Sequence, residues 1–219
     1  RDFMACRGPD GSGVWISNAG EVALGHRRLS IIDLSNAGAQ PMASENGQYH
    51  ITFNGEIYNY LELRTDLISK GIIFKSNSDT EVILNLFAEQ KERCLYKLRG
   101  MFAFAIWDSL NRELILARDP FGIKPLYYSN DNNYIRFASQ VRALEAGGKI
   151  SKEIDPAGVS GFLLWGSVPE PHTIRRCIKA LPAGHYLHFS RGGKISGPLP
   201  YYDLKHSIES ANLSKNLNL

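Results

Sequence analysis

The chain has 219 residues, with 25 Lys and Arg against 22 Asp and Glu, a formal charge of +3. That near balance argues against a nucleic-acid binder, which needs a concentrated basic face. Charged residues at 21% and hydrophobic residues at 43% fit a globular protein rather than a disordered one. The longest apolar run, residues 101–107, is far short of the roughly 20 residues a bilayer span needs, so no membrane partner is expected. No signal-like segment opens the chain. Three cysteines, Cys6, Cys94 and Cys177, leave one unpaired in any disulfide scheme, and a reducing, cytoplasmic compartment is the simpler reading.

In chain order, residues 22–24 lead into a leucine-rich and β-branched region at 29–32. Tyr49, Ile51 and Phe53 alternate with polar residues, the two-residue period of a half-buried strand. Residues 59–70 place Tyr60, Leu63 and Leu67 on one helical face, with Gly71 as the stop. Ser78–Asp79–Thr80–Glu81 has the form of a capping box opening a helix to about Gln90. Residues 101–107 and 114–117 read as two strands joined by a hairpin turn at 108–112, and residues 126–128 and 135–137 as a second pair. Asp155–Pro156 reads as an N-cap and first helical residue, opening a helix over 157–165. Residues 184–189 form a last strand. Many strands with hairpin links and few crossovers indicate an α+β fold with antiparallel sheets.

The residues that could carry chemistry are each ambiguous alone. No metal-ligand spacing is present; His185 and His188, three apart in a strand, point to opposite faces. Residues 8–13 are glycine-rich, but no Lys-Ser/Thr follows, so they are no Walker loop. Asn54–Gly55 after a strand is ordinarily a turn; alternatively the Asn54 carboxamide and the Gly55 N–H could face one developing negative charge. Of the adjacent Arg27 and Arg28, one can be solvated while the other reaches inward toward a carboxylate. Asp79 could serve the helix start or, with Glu56, hold an ammonium group.

Their order is more specific. Arg7–Gly8–Pro9–Asp10–Gly11 is followed by His26–Arg27–Arg28–Leu29–Ser30–Ile31–Ile32–Asp33, then Gln40–Pro41–Met42. Next come residues 53–59, Ser78–Asp79–Thr80–Glu81, residues 98–104 and residues 118–128. This series resembles the glutaminase domain of glutamine-hydrolysing asparagine synthetases, a class II glutamine amidotransferase of the N-terminal-nucleophile fold, over about residues 7–202. The resemblance implies a four-layer αββα sandwich of antiparallel sheets. It makes Arg28 the clamp for the glutamine α-carboxylate, with Leu29, Ser30, Ile31 and Ile32 lining that site. Asn54 and Gly55 become the oxyanion hole, and Glu56 and Asp79 the acceptors of the α-ammonium.

In that family the nucleophile is a cysteine at the mature N-terminus. Residue 1 here is Arg, and Cys6 has no adjacent free amine, so the nucleophile is not transferred to it. The resemblance therefore implies a chain truncated at both ends, missing its first strand. Residues 1–204 would be the glutaminase domain and 205–219 a linker toward an absent ATP-pyrophosphatase synthetase domain. No cofactor is expected in these residues; Mg-ATP would belong to that absent domain. The complete enzyme would hydrolyse L-glutamine and use the ammonia to amidate L-aspartate, with this portion inactive alone. L-Glutamine and the synthetase domain are the expected partners, and a homodimer stays open. The alternative is a non-catalytic glutaminase-like scaffold, as in proteins resembling β-lactam synthetases.

Overall fold

The computed structural model describes residues 1–29, 36–131, 134–205 and 207–209. A 3-10 segment, Asp2–Arg7, precedes the hairpin β1 (Gly11–Ile16) and β2 (Ala23–Arg28). Then come β3 (Met42–Ala43), β4 (Tyr49–Ile57), α1 (Tyr60–Ser69) and α2 (Asp79–Gln90). β5 (Gly100–Asp108) and β6 (Glu113–Arg118) form one hairpin, β7 (Tyr127–Asn130) and β8 (Ile135–Ala138) another. The short α3 (Val141–Ala146), α4 (Pro156–Trp165), β9 (Lys179–Ala180), β10 (His185–Phe189) and β11 (Ile195–Pro200) follow.

The central sheet has six strands in the order β11-β10-β6-β5-β4-β3, and its named pairs are antiparallel. Its two faces are both apolar. On one, Ile51, Phe53, Ile57, Phe102, Phe104 and Ile106 pack under Leu63, Leu67, Val82, Ile83, Leu86 and Phe87 of α1 and α2. On the other, Ala103, Ala105, Trp107, Leu114 and Leu116 meet Leu24, Leu126 and Leu181. This second layer consists of two pieces among the described residues, the β1-β2 ribbon and the three-stranded sheet β8-β7-β9. α3 packs on β8 and on the 3-10 segment, which packs on β2. The result is the expected α+β sandwich of helices and antiparallel sheets.

Local chemistry accounts for the boundaries. Ser78 accepts the Thr80 N–H at 3.1 Å as the N-cap of α2. The capping box is only half formed, because Glu81 bonds the main-chain N–H groups of Lys75 and Ser76 instead of reaching back to Ser78. Asp155 caps α4 through the Ala157 N–H, and Pro156 occupies its first turn. Asp108 takes the N–H groups of Leu110 and Asn111, which tightens the β5–β6 turn. The stretch 205–219, read as a linker, lies mostly outside the described residues.

Candidate active site

β4 positions the centre of the site. Asn54–Gly55 is not a turn: it lies within the strand, opposite Ala103 and Phe102 of β5. A Cβ on Gly55 would stand 2.1 Å from Met101 O and 2.7 Å from Phe102 Cα, so glycine is required by the closeness of the two main chains. Directly paired residues share a face, which puts Thr52 and Asn54 with Ala105 and Ala103, toward the second layer. Asn54 is exposed there, and its carboxamide has no hydrogen-bond partner among the described residues.

The edge of β4 carries the main-chain donors. β3 pairs only with His50 and Ile51. Beyond them, Phe53 N–H is accepted by Gln40 Oε1 at 2.6 Å and Ile57 N–H by Asp79 Oδ2 at 3.0 Å. Backbone groups alternate sides along a strand, so the Gly55 N–H between them faces the same edge.

Arg28 ends β2, the second-layer strand that packs on β4. The Arg7–Gly8–Pro9–Asp10–Gly11 motif holds it: Asp10 N–H bonds Arg28 O at 3.0 Å, and Gly11 pairs with Arg28. A Cβ on Gly8 would meet Arg27 C at 2.5 Å and Arg28 N at 2.7 Å. The neighbouring arginines divide their work: Arg27 pairs with Asp2 at 2.6 Å, and Arg28 is half-buried at the wall of a cleft.

That cleft, about 850 Å³, brings together Arg28, Leu29, Asn54, Gly55 and Asp79. Leu29 is exposed at its rim. Ser30, Ile31 and Ile32 lie outside the described residues. Glu56 departs from the expectation. It is half-buried and does not line the cleft, although its charge reaches Asp79. Asp79 is only 4% exposed. Burial raises its carboxyl above the ordinary range, and the Glu56 charge adds to the rise, against the main-chain hydrogen bonds that lower it.

Several wall residues carried no assignment from the sequence. His26 contacts Thr52 Oγ1 through Nδ1 at 3.3 Å, and burial, aided by the Arg28 charge, lowers its pKa to about 4. It is therefore neutral at pH 7. Gln40, Lys124 and the exposed Cys6 also line the cleft. The segment before Lys124 is shaped by the fully buried Asp119, whose carboxylate accepts N–H groups from Phe102, Phe121, Ile123 and Lys124. Of the other cysteines, Cys94 is buried in the core beneath α2, where burial pushes its thiol pKa up. Cys177 donates to Ser151 O.

An arginine, a buried carboxylate and two amide groups thus line one cleft of an α+β sandwich. Among solved structures, the glutamine phosphoribosylpyrophosphate amidotransferase of B. subtilis complexed with ADP and GMP shares the fold. Its TM-score is 0.55 at 24% identity, over 81% of this chain and 35% of that one. The family model described as a glutamine amidotransferase domain matches residues 1–202, and the chain belongs to that family. It is 44% identical over 190 residues to asparagine synthetase (glutamine-hydrolyzing) 1 of Bacillus subtilis (strain 168), covering 87% of this chain and 29% of the relative. It is 42% identical over 207 residues to amidase chry2 of Gibberella zeae, covering 94% of this chain and 30% of that protein. The chain thus spans about three tenths of the length of these relatives.

Proposed function

We propose that residues 1–204 are the glutaminase domain of an asparagine synthase (glutamine-hydrolysing), and that the cleft binds L-glutamine. The observation that carries this reading is the convergence of Arg28, Asn54, Gly55 and Asp79 on one cavity. A free amino acid offers a carboxylate and an ammonium at fixed separation, and a buried acid opposite an arginine matches that pair. Arg28 takes the α-carboxylate, and Asp79, reinforced by the nearby Glu56 charge, takes the α-ammonium. The side-chain carbonyl then lies against Asn54 Nδ2 and Gly55 N–H, donors aimed where negative charge develops when a thiolate attacks an amide.

Ammonia released from glutamine would serve a synthetase domain, joined through residues 205–219, that uses Mg-ATP to activate aspartate in the cytoplasm. ATP and metal chemistry belong in this reading to that domain, not to the residues of the cleft. The test is calorimetric titration of the 219-residue chain with L-glutamine. Arg28→Ala and Asp79→Ala are each expected to cut affinity at least tenfold, because each leaves one charge of the zwitterion unpaired. Unchanged affinity in both variants would refute the clamp.

A further inference from the structure

Gln40 joins the two halves of the cleft. Its Oε1 accepts the Phe53 N–H at 2.6 Å, and its Nε2 donates to Thr80 Oγ1 at 3.2 Å. Chemistry fixes this orientation: a main-chain N–H can only donate, so the carboxamide oxygen must face it and the amine is left for the hydroxyl. Phe53 immediately precedes Asn54 and Gly55, and Thr80 immediately follows Asp79. One side chain therefore ties the strand that presents the amide donors to the helix start that presents the carboxylate.

The main chain of Gln40 is itself held in place. A Cβ on Gly13 would stand 2.0 Å from Gln40 O and 2.9 Å from Gln40 C, so β1 closes on this residue only because position 13 is glycine. Gln40 also selects the donor. Of the edge-facing N–H groups at 53, 55 and 57, Gln40 takes the first and Asp79 the third, which leaves the N–H of Gly55, a residue that lines the cleft.

We propose that Gln40 is a positioning residue that determines the length of the amino-acid amide the site accepts. The Phe53–Gln40–Thr80 bridge, beside the direct Ile57–Asp79 hydrogen bond, sets the separation between the Asn54–Gly55 donors and the Asp79 carboxylate. A ligand is held at both ends only if its carbonyl and its ammonium match that separation. L-Glutamine and L-asparagine differ by one methylene, so the bridge acts as the ruler between them. The proposal rests on the glutamine reading of the cleft.

The test is calorimetric titration of the 219-residue chain and its variants with L-glutamine and with L-asparagine, alongside thermal melting. Gln40→Met keeps the length of the side chain and removes both hydrogen bonds. It is expected to weaken L-glutamine about tenfold while narrowing the preference for L-glutamine over L-asparagine. Thr80→Val breaks the same bridge from the other end and should narrow the preference likewise, even if Gln40→Met does not fold. Thr80→Ser keeps the hydroxyl and should restore it. A general loss of stability would weaken both ligands in parallel and leave their ratio intact. An unchanged ratio in the folded variants, with or without a loss of affinity, overturns the ruler and leaves the glutamine reading standing. If the unaltered chain binds neither amide, both fall.

Discussion

Gly55→Ala is the substitution whose cost follows most directly from the coordinates. The new methyl would lie 2.1 Å from Met101 O, 2.7 Å from Phe102 Cα and 3.0 Å from the Phe53 ring. The first is about 1.3 Å inside ordinary contact, and the two nearest obstacles are main-chain atoms of β5. β5 cannot retreat, because β6 pairs on its far side and Asp119 binds the Phe102 N–H. β4 must therefore separate from β5. Overpacking a close-fitted core costs roughly 1–3 kcal/mol, and rigid obstacles place this case at the upper end, about 3 kcal/mol. For a domain of this size each kcal/mol lowers Tm by roughly 2–4 °C, so a fall of about 6–12 °C is expected. Gly47→Ala is the control: Gly47 has φ +69° with nothing within 4 Å of a new Cβ, so only the left-handed backbone cost of about 1–2 kcal/mol applies. Circular dichroism melts at 222 nm measure both, and glutamine titration should show Gly55→Ala with its binding lost and Gly47→Ala with its binding kept. A Gly55→Ala chain that melts within about 2 °C of the parent and binds glutamine normally would refute the close-approach argument.

Three further outcomes are expected. His26 has its pKa lowered from 6.5 to about 4, so its contribution to stability is complete above pH 6.5 and is lost as pH falls toward 4. That shift corresponds to about 3 kcal/mol, and urea melts across this window should show a slope that His26→Gln flattens. Asp79 shifts the other way. Its folded-state pKa lies above 3.8, so its stabilising effect is full below that pH and is lost as pH rises through the raised value. Asp79→Asn should accordingly raise Tm at pH 7 while weakening glutamine binding, with the Tm gain shrinking as the pH approaches 3.8. Asp119→Ala leaves N–H donors of Phe102, Phe121, Ile123 and Lys124 without their acceptor. A loss of at least about 3 kcal/mol is expected by denaturant melting, and a loss under 1 kcal/mol would contradict the anchoring role.

The elements legible in the sequence are those whose chemistry is local. The starts of α2 and α4 follow from Ser78 and Asp155, and the β5–β6 turn from Asp108. β1 escaped because Gly11, Ser12 and Gly13 hide its alternation, although its burial does alternate. β11 escaped because it is built on Gly197 and Pro198, residues that punctuate turns. Asn54–Gly55 carries a turn signature that tertiary packing overrides, since the glycine is needed for the contact with β5 rather than for a reversal. Arg28, Asn54, Gly55 and Asp79, singled out by the order of their motifs, do line one cleft. Gln40 and His26 stood within the same motifs without a role, because their partners are distant: Phe53 is 13 residues from Gln40, Thr80 is 40, and Thr52 is 26 from His26. Only the folded chain brings them together.

The central claim is that one cleft grips glutamine at both ends with its side-chain carbonyl against Gly55. The most direct measurement is a titration of the 15N-labelled chain with L-glutamine, followed by amide NMR. Saturable shifts at the Gly55 main-chain amide, the Asn54 side-chain amide and the Arg28 guanidinium, with those of α4 unmoved, are the predicted result. Saturable binding that shifts other surfaces and leaves the Gly55 and Asn54 signals in place would contradict it.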